Sequence, residues 1–236
     1  MLNIVIGYDK NESVAYHVLA HSIMRRASKP VSITGLYLPS LEKSGLYRRE
    51  RDPRQSTDFT FSRFLTPWLT SAMGGRSLFL DCDMLCLADV YELERIASEQ
   101  MHRDVFVVKH HYAPNPDPKF LGQEQTIYPC KNWSSLMLFN GYRTAVKKLT
   151  PSYVNEASPM DLHQFKWAND VGDLPRQWNH LVGEYELDPA AKLVHFTRGG
   201  PWFPEYGTCD YSDQWWDEFY DMASAKGGFN SAAVTG

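Results

Sequence analysis

The chain has 236 residues, 43% hydrophobic and 22% charged, with 15 glycines and 14 prolines. That is the composition of an ordinary globular protein with one large core, and it excludes disordered and collagen-like chains. A net charge of −4 leaves no basic field to hold a nucleic-acid backbone or an anionic membrane, so neither is expected as a partner.

The N-terminus runs through the apolar stretch Leu2 to Ile6 to Gly7, Tyr8 and Asp9, with no basic leader, so a strand and not a signal peptide is expected. Val14, Ala15, Val18, Leu19 and Ile23 follow at helical spacing, and Val31 to Leu38 returns to a β-type run. Pro39 to Gln55, carrying Lys43, Arg48, Arg49, Arg51 and Arg54 among Glu42, Glu50 and Asp52, reads as a solvated loop. Thr60 to Thr70 reads as a helix with Arg63 near its start, and Ser77 to Leu80 as a strand that stops at a carboxylate. Val105 to Val108 and Ser135 to Phe139 read as further strands, separated by an irregular excursion marked by Pro114, Pro116 and Pro118. Asp161 to Trp167 is a short helix candidate and Lys192 to Phe196 a last strand. Gly227 to Gly236 is small and polar, a frayed end.

Strands alternating with helices imply an α/β protein with a mainly parallel sheet covered on both faces, and ligands bind beyond the carboxyl ends of such strands. Cys82, Cys86, Cys130 and Cys209 contain no C-x-x-C pair and are too sparse for a disulfide framework, which points to reduced thiols and a cytoplasmic setting. No apolar run approaches the roughly 20 residues of a membrane span. The aromatic content of 14%, with seven tryptophans, suits a large core and also the lining of a carbohydrate site.

Asp81-Cys82-Asp83 places two carboxylates two residues apart in an otherwise apolar segment. In extended chain they share a face, and a divalent ion with oxygen ligands, Mn²⁺ or Mg²⁺, offsets the cost of burying both. A lone D-x-D also reads as two solvated strand-end aspartates, so its context matters. That context is His195 at the end of Leu193-Val194-His195, a second type of ligand. Arg198 follows beside Gly199 and Gly200, a cation suited to phosphate next to backbone that allows close approach.

Ile4-Val5-Ile6-Gly7-Tyr8-Asp9-x-Asn11, Thr60-Phe61-Ser62-Arg63-Phe64, Phe79-Leu80-Asp81-Cys82-Asp83 and His195-x-x-x-Gly199-Gly200-Pro201-Trp202 occur in the order seen in glycosyltransferase family 8. The chain resembles that family over roughly residues 2 to 203. The resemblance implies a GT-A fold, with a Rossmann-like mixed, mostly parallel sheet flanked by helices. It also implies retaining transfer from a nucleotide sugar, usually a UDP-sugar, to a saccharide or other hydroxyl acceptor with Mn²⁺. On it, Gly7, Tyr8, Asp9 and Asn11 match positions around the uridine, and Arg63 matches an arginine reaching toward donor sugar and phosphate. Asp81, Asp83 and His195 match the metal ligands, Asp81 also lying near the sugar or ribose. His163-Gln164 falls where the family commonly has Asp-Gln beside the anomeric carbon. A single domain over 1–225 is expected, with a nucleotide-binding half to about 110, an acceptor half over about 111–205 and a flexible tail over 226–236.

The chain departs from the family in three places. The motif after His195 is one residue shorter and lacks a lysine, which leaves phosphate neutralisation to Arg198 or to a group elsewhere. Trp133-Ser134-Ser135 stands in place of Asn-Ala-Gly, with Asn140 retained beyond it. His163 replaces a carboxylate. These departures make a non-catalytic nucleotide-sugar binder the alternative reading, with a D-x-D phosphatase behind it; Leu85 and the absence of a placeable lysine and second acidic pair speak against the phosphatase.

Overall fold

A computed structural model describes residues 1–52, 55–110 and 130–224. Arg54, the proline-bearing excursion at Pro114, Pro116 and Pro118, and the tail expected over 226–236 lie outside the described residues.

The first apolar run forms β1 (Leu2–Tyr8), whose successor α1 (Ser13–Arg26) buries Ala15, Val18, Leu19 and Ile23 at helical spacing. β2 (Val31–Tyr37) leads directly into α2 (Leu38–Lys43). Proline begins a helix readily because its missing N–H would be unbonded there, and Pro39 occupies that place. The stretch expected as a solvated loop is therefore partly helical, and its far end is fastened. Tyr47 is buried, and Arg49 donates to the carbonyls of Val154 and Ala157 while its guanidinium lies over the Phe61 ring.

The expected helix over Thr60 to Thr70 is broken into a 3-10 turn, Ser62–Leu65, and a single helical turn, α3 (Thr66–Leu69). Pro67 cannot donate into a continuous ladder and restarts the helix instead. β3 (Arg76–Leu80) and β4 (Met84–Cys86) flank the two aspartates, and α4 (Tyr91–Ser98) precedes β5 (Val105–Val107). β6 (Leu136–Asn140), α5 (Pro151–Glu156) and α6 (Pro159–His163) follow. α6 ends earlier than the sequence suggests because Phe165 adopts a φ of 57°. β7 (Val171–Asp173), β8 (His180–Leu181), β9 (Leu193–His195) and α7 (Ser212–Ala223) complete the order.

The strands form two sheets. The larger has the order β2-β1-β3-β6-β5-β7, and among the described residues β6 alone runs against the others. The smaller has the order β4-β9-β8, with Met84 opposite His195. The main core fills both sides of the large sheet. A second cluster, containing Val18, Leu85, Val194, Phe196 and Trp215, joins the small sheet to α1 and α7. α7 is held by charge as well as by packing. Its buried Glu218 accepts from Arg26 at 2.6 Å and lies 2.6 Å from His21 Nδ1. His21, Glu218 and Asp221 have ligand-like spacing, but Arg25 and Arg26 already supply the balancing cations.

Candidate active site

The backbone leaves the large sheet at the end of β3 and enters the small sheet at β4, and Asp81-Cys82-Asp83 is the bend between them. The aspartates thus converge through a bend and not through the pleat of one strand. The ligand atoms of Asp81, Asp83 and His195 all lie within 4.8 Å of one another. The backbone secures both ends of the bend: Asp81 N–H donates to the Ser135 carbonyl at 2.9 Å, and Phe196 N–H to the Asp83 carbonyl at 2.9 Å.

His195 is 3% exposed. Its Nδ1 lies 3.0 Å from Oδ1 of Asn179, whose own amide donates to Ser135 Oγ at 2.8 Å. With the Asn179 amide donating to Ser135, its Oδ1 is the acceptor for His195 Nδ1–H, and Nε2 faces Asp83 Oδ1 at 3.3 Å. Two carboxylates and an oriented imidazole nitrogen, with Asp81 and His195 buried, form a donor set that can hold a metal ion.

Arg63 is likewise buried. Its guanidinium lies against the adjoining rings of Phe59 and Phe79, and it meets Asp81 Oδ1 at 2.8 Å and donates to the Ser134 carbonyl at 2.9 Å. Gly7 makes room for this arrangement, since a Cβ there would stand 2.5 Å from the Phe59 ring. Asp9 takes a local structural part. One carboxylate oxygen accepts from the backbone N–H of the exposed Asn11 and the other from that of Asp58. Tyr8 packs edge-on against Tyr16 and Tyr37 at the carboxyl ends of β1 and β2.

His163 joins the same network one step further out. Ser134 Oγ lies 2.9 Å from its Nδ1, and the ring packs against Phe61 and Phe64. Burial, then the cations of Arg63 and Arg49, push its pKa down to about 3, so it stands as a neutral ring. The half-buried Gln164 follows at the end of α6, and its side-chain amide bonds to no other candidate residue. Arg198 is half-buried three residues beyond His195, with its aliphatic stem over Gly183. Gly199 has a φ of 130° and leaves space for the Tyr206 ring, two reasons for glycine there.

Glu12 and Asn179 escape the sequence reading, which names Ser134 only as a departure from the family pattern and gives it no part in the site. Asn140, retained from the family pattern, lies outside the site and binds the carbonyls of Met101 and Arg103. An open cleft of about 740 Å³ lined by Met1, Lys29, Arg76, Tyr91 and Tyr142 lies at the amino-terminal ends of β1 and β3, and it contains none of the candidate residues.

Protein CDI of Arabidopsis thaliana is 44% identical over 222 residues, which cover 91% of this chain and 85% of that protein. The chain belongs to the CDI family. No family model matches it. Among solved structures, the bifunctional glycosyltransferase WbbM superposes with a TM-score of 0.60 at 17% identity, over 94% of this chain and 51% of WbbM, so the chain spans about half that neighbour's length. The galactosyltransferase LgtC, solved with donor and acceptor sugar analogs, superposes with a TM-score of 0.54 at 12% identity, over 94% of this chain and 97% of LgtC. This CDI-family chain therefore has the GT-A glycosyltransferase fold, as the ordered motifs imply. Among its described residues no helix is long and apolar enough to cross a membrane.

Proposed function

We propose that this CDI-family protein is a retaining glycosyltransferase that moves a sugar from a UDP-sugar to a saccharide or other hydroxyl acceptor, with Mn²⁺ or Mg²⁺ held by Asp81, Asp83 and His195. One observation carries the reading: on a fold shared with glycosyltransferases, two sheets bring these three ligand atoms within 4.8 Å of one another. When bound, the ion supplies Lewis-acid stabilisation of the negative charge that develops on the leaving diphosphate, worth several kcal/mol. Arg63 fixes Asp81 from one side while Asn179 orients His195 from the other. We assign the nucleotide to the half ending at about residue 110, around Gly7, Tyr8, Asp9 and Asn11, and the acceptor to about 111–205.

We assign Arg198 and Gly199 to the diphosphate and Gln164 to the transferred sugar. An amide is too weak a nucleophile for a covalent sugar–enzyme step. We therefore read retention as attack by the acceptor on the face from which the leaving group departs, with the departing phosphate taking the acceptor proton. His163, neutral and bonded to Ser134, supplies no negative charge to donor hydroxyls.

Titration calorimetry with UDP, with and without Mn²⁺, tests the reading. UDP should bind much more tightly with the ion, and UDP-sugars should be hydrolysed slowly with release of UDP. UDP affinity unaffected by a chelator would overturn the metal site, and binding without any turnover would leave a nucleotide-sugar binder.

A further inference from the structure

Glu12 is 2% exposed and stands where the 3-10 turn Lys10–Glu12 becomes α1. An acidic residue at the start of a helix commonly accepts one of the free N–H groups of the first turn. Glu12 makes no such bond. Its carboxyl is directed to the bend instead: Oε2 lies 3.8 Å from Sγ of Cys82, and buried Oε1 has no hydrogen-bond partner among the described residues. Cys82, fully buried, is the residue between the two metal-binding aspartates.

The surroundings of Glu12 make its retention costly. It is buried, and in the contact the Cys82 S–H is the donor and Glu12 Oε2 the acceptor. A leucine of similar volume would carry no such penalty. The contact instead fastens Cys82, the one side chain of the bend that is not among the three clustered ligand candidates, to the start of α1.

We propose that Glu12 is a positioning residue for the metal-binding bend, acting through Cys82. This rests on the metal reading given above. Metal-ligand orientation supplied by outer residues is typically worth about 10–100-fold in affinity.

The test is Mn²⁺ binding to the full chain in the presence of UDP, followed by the electron paramagnetic resonance of the free ion, together with the melting temperature of the ion-free protein. Glu12→Leu should bind Mn²⁺ at least about tenfold more weakly while its ion-free melting temperature equals or exceeds that of the wild type. Glu12→Gln should stay close to wild type in affinity, since the amide oxygen accepts the same S–H. Cys82→Ala should reproduce the loss seen in Glu12→Leu, and it carries the test if that variant does not fold. Undiminished affinity in Glu12→Leu and Cys82→Ala would overturn the proposal, as would a Glu12→Gln variant as weak as Glu12→Leu, or a lowered melting temperature with affinity unchanged. Failure of the wild type to bind Mn²⁺ would instead remove the metal reading itself.

Discussion

Asn179 Oδ1 accepts the Nδ1 proton of His195 over 3.0 Å, and that contact decides which ring nitrogen meets the carboxylates. Asn179→Leu should therefore weaken Mn²⁺ binding by about 10–100-fold, whereas Asn179→Asp, which keeps an acceptor at the same place, should retain most of it. Calorimetry with UDP present checks both. Equal affinity in Asn179→Leu would mean that packing alone orients the ring.

Asp83→Ala and His195→Ala should each lower metal-dependent turnover by about two powers of ten or more, since each 1.4 kcal/mol of lost leaving-group stabilisation is about tenfold in rate. Asp83 adjoins the small sheet and His195 is part of it, so circular dichroism must remain native for the comparison to count. Near wild-type turnover in both variants would remove the ion from the reaction.

The pattern of strands is readable in the chain because β1, β3 and β6 are continuous apolar runs, as strands buried on both faces must be. The meeting of Asp81 and Asp83 with His195 is readable because two aspartates in an apolar segment demand compensation. The supporting residues are not. Asn179 lies 16 residues from the histidine it orients and Ser134 lies 29 from His163, and no periodicity links such pairs. Glu12 beside Asn11 looks like a solvated turn until the fold buries it. The helix expected around Arg63 fails for a local reason, the proline at 67, whereas α7 carries a signal that can be found: Trp215, Phe219 and Met222 recur at helical spacing and face the second core cluster.

Arg198 stands beside Gly199 three residues after His195, and with the lysine of the glycosyltransferase family 8 motif absent we assign it to the diphosphate. Arg198→Ala should weaken UDP far more than uridine, because the lost contact is with phosphate and not with the base. Competition binding of the two ligands measures the difference. A parallel loss of both, or of neither, would leave the diphosphate to Arg63 and the ion.

His163 gives the fold an acid sensitivity. Its pKa of about 3 in the folded protein lies below the ordinary value of 6.5, so between these values the unfolded chain binds a proton that the folded one does not. Stability should fall as pH drops from about 6.5 toward 3, by at most about 1.4 kcal/mol per pH unit from this residue. Denaturant melts of His163→Gln across that range should show a shallower decline than wild type. An identical slope would show that other groups set it.

The three-residue bend from β3 to β4 also constrains how this chain can vary. One inserted residue there would either lengthen the crossing between sheets or slip Met84 against His195 by one position, turning every side chain of β4 to the opposite face. The second core cluster, which takes Leu85 from that strand, would be broken by the same slip. The length of the bend is therefore fixed by the crossing between two sheets, independently of any ion, and length changes tolerated in the surface loops should be absent between Leu80 and Met84.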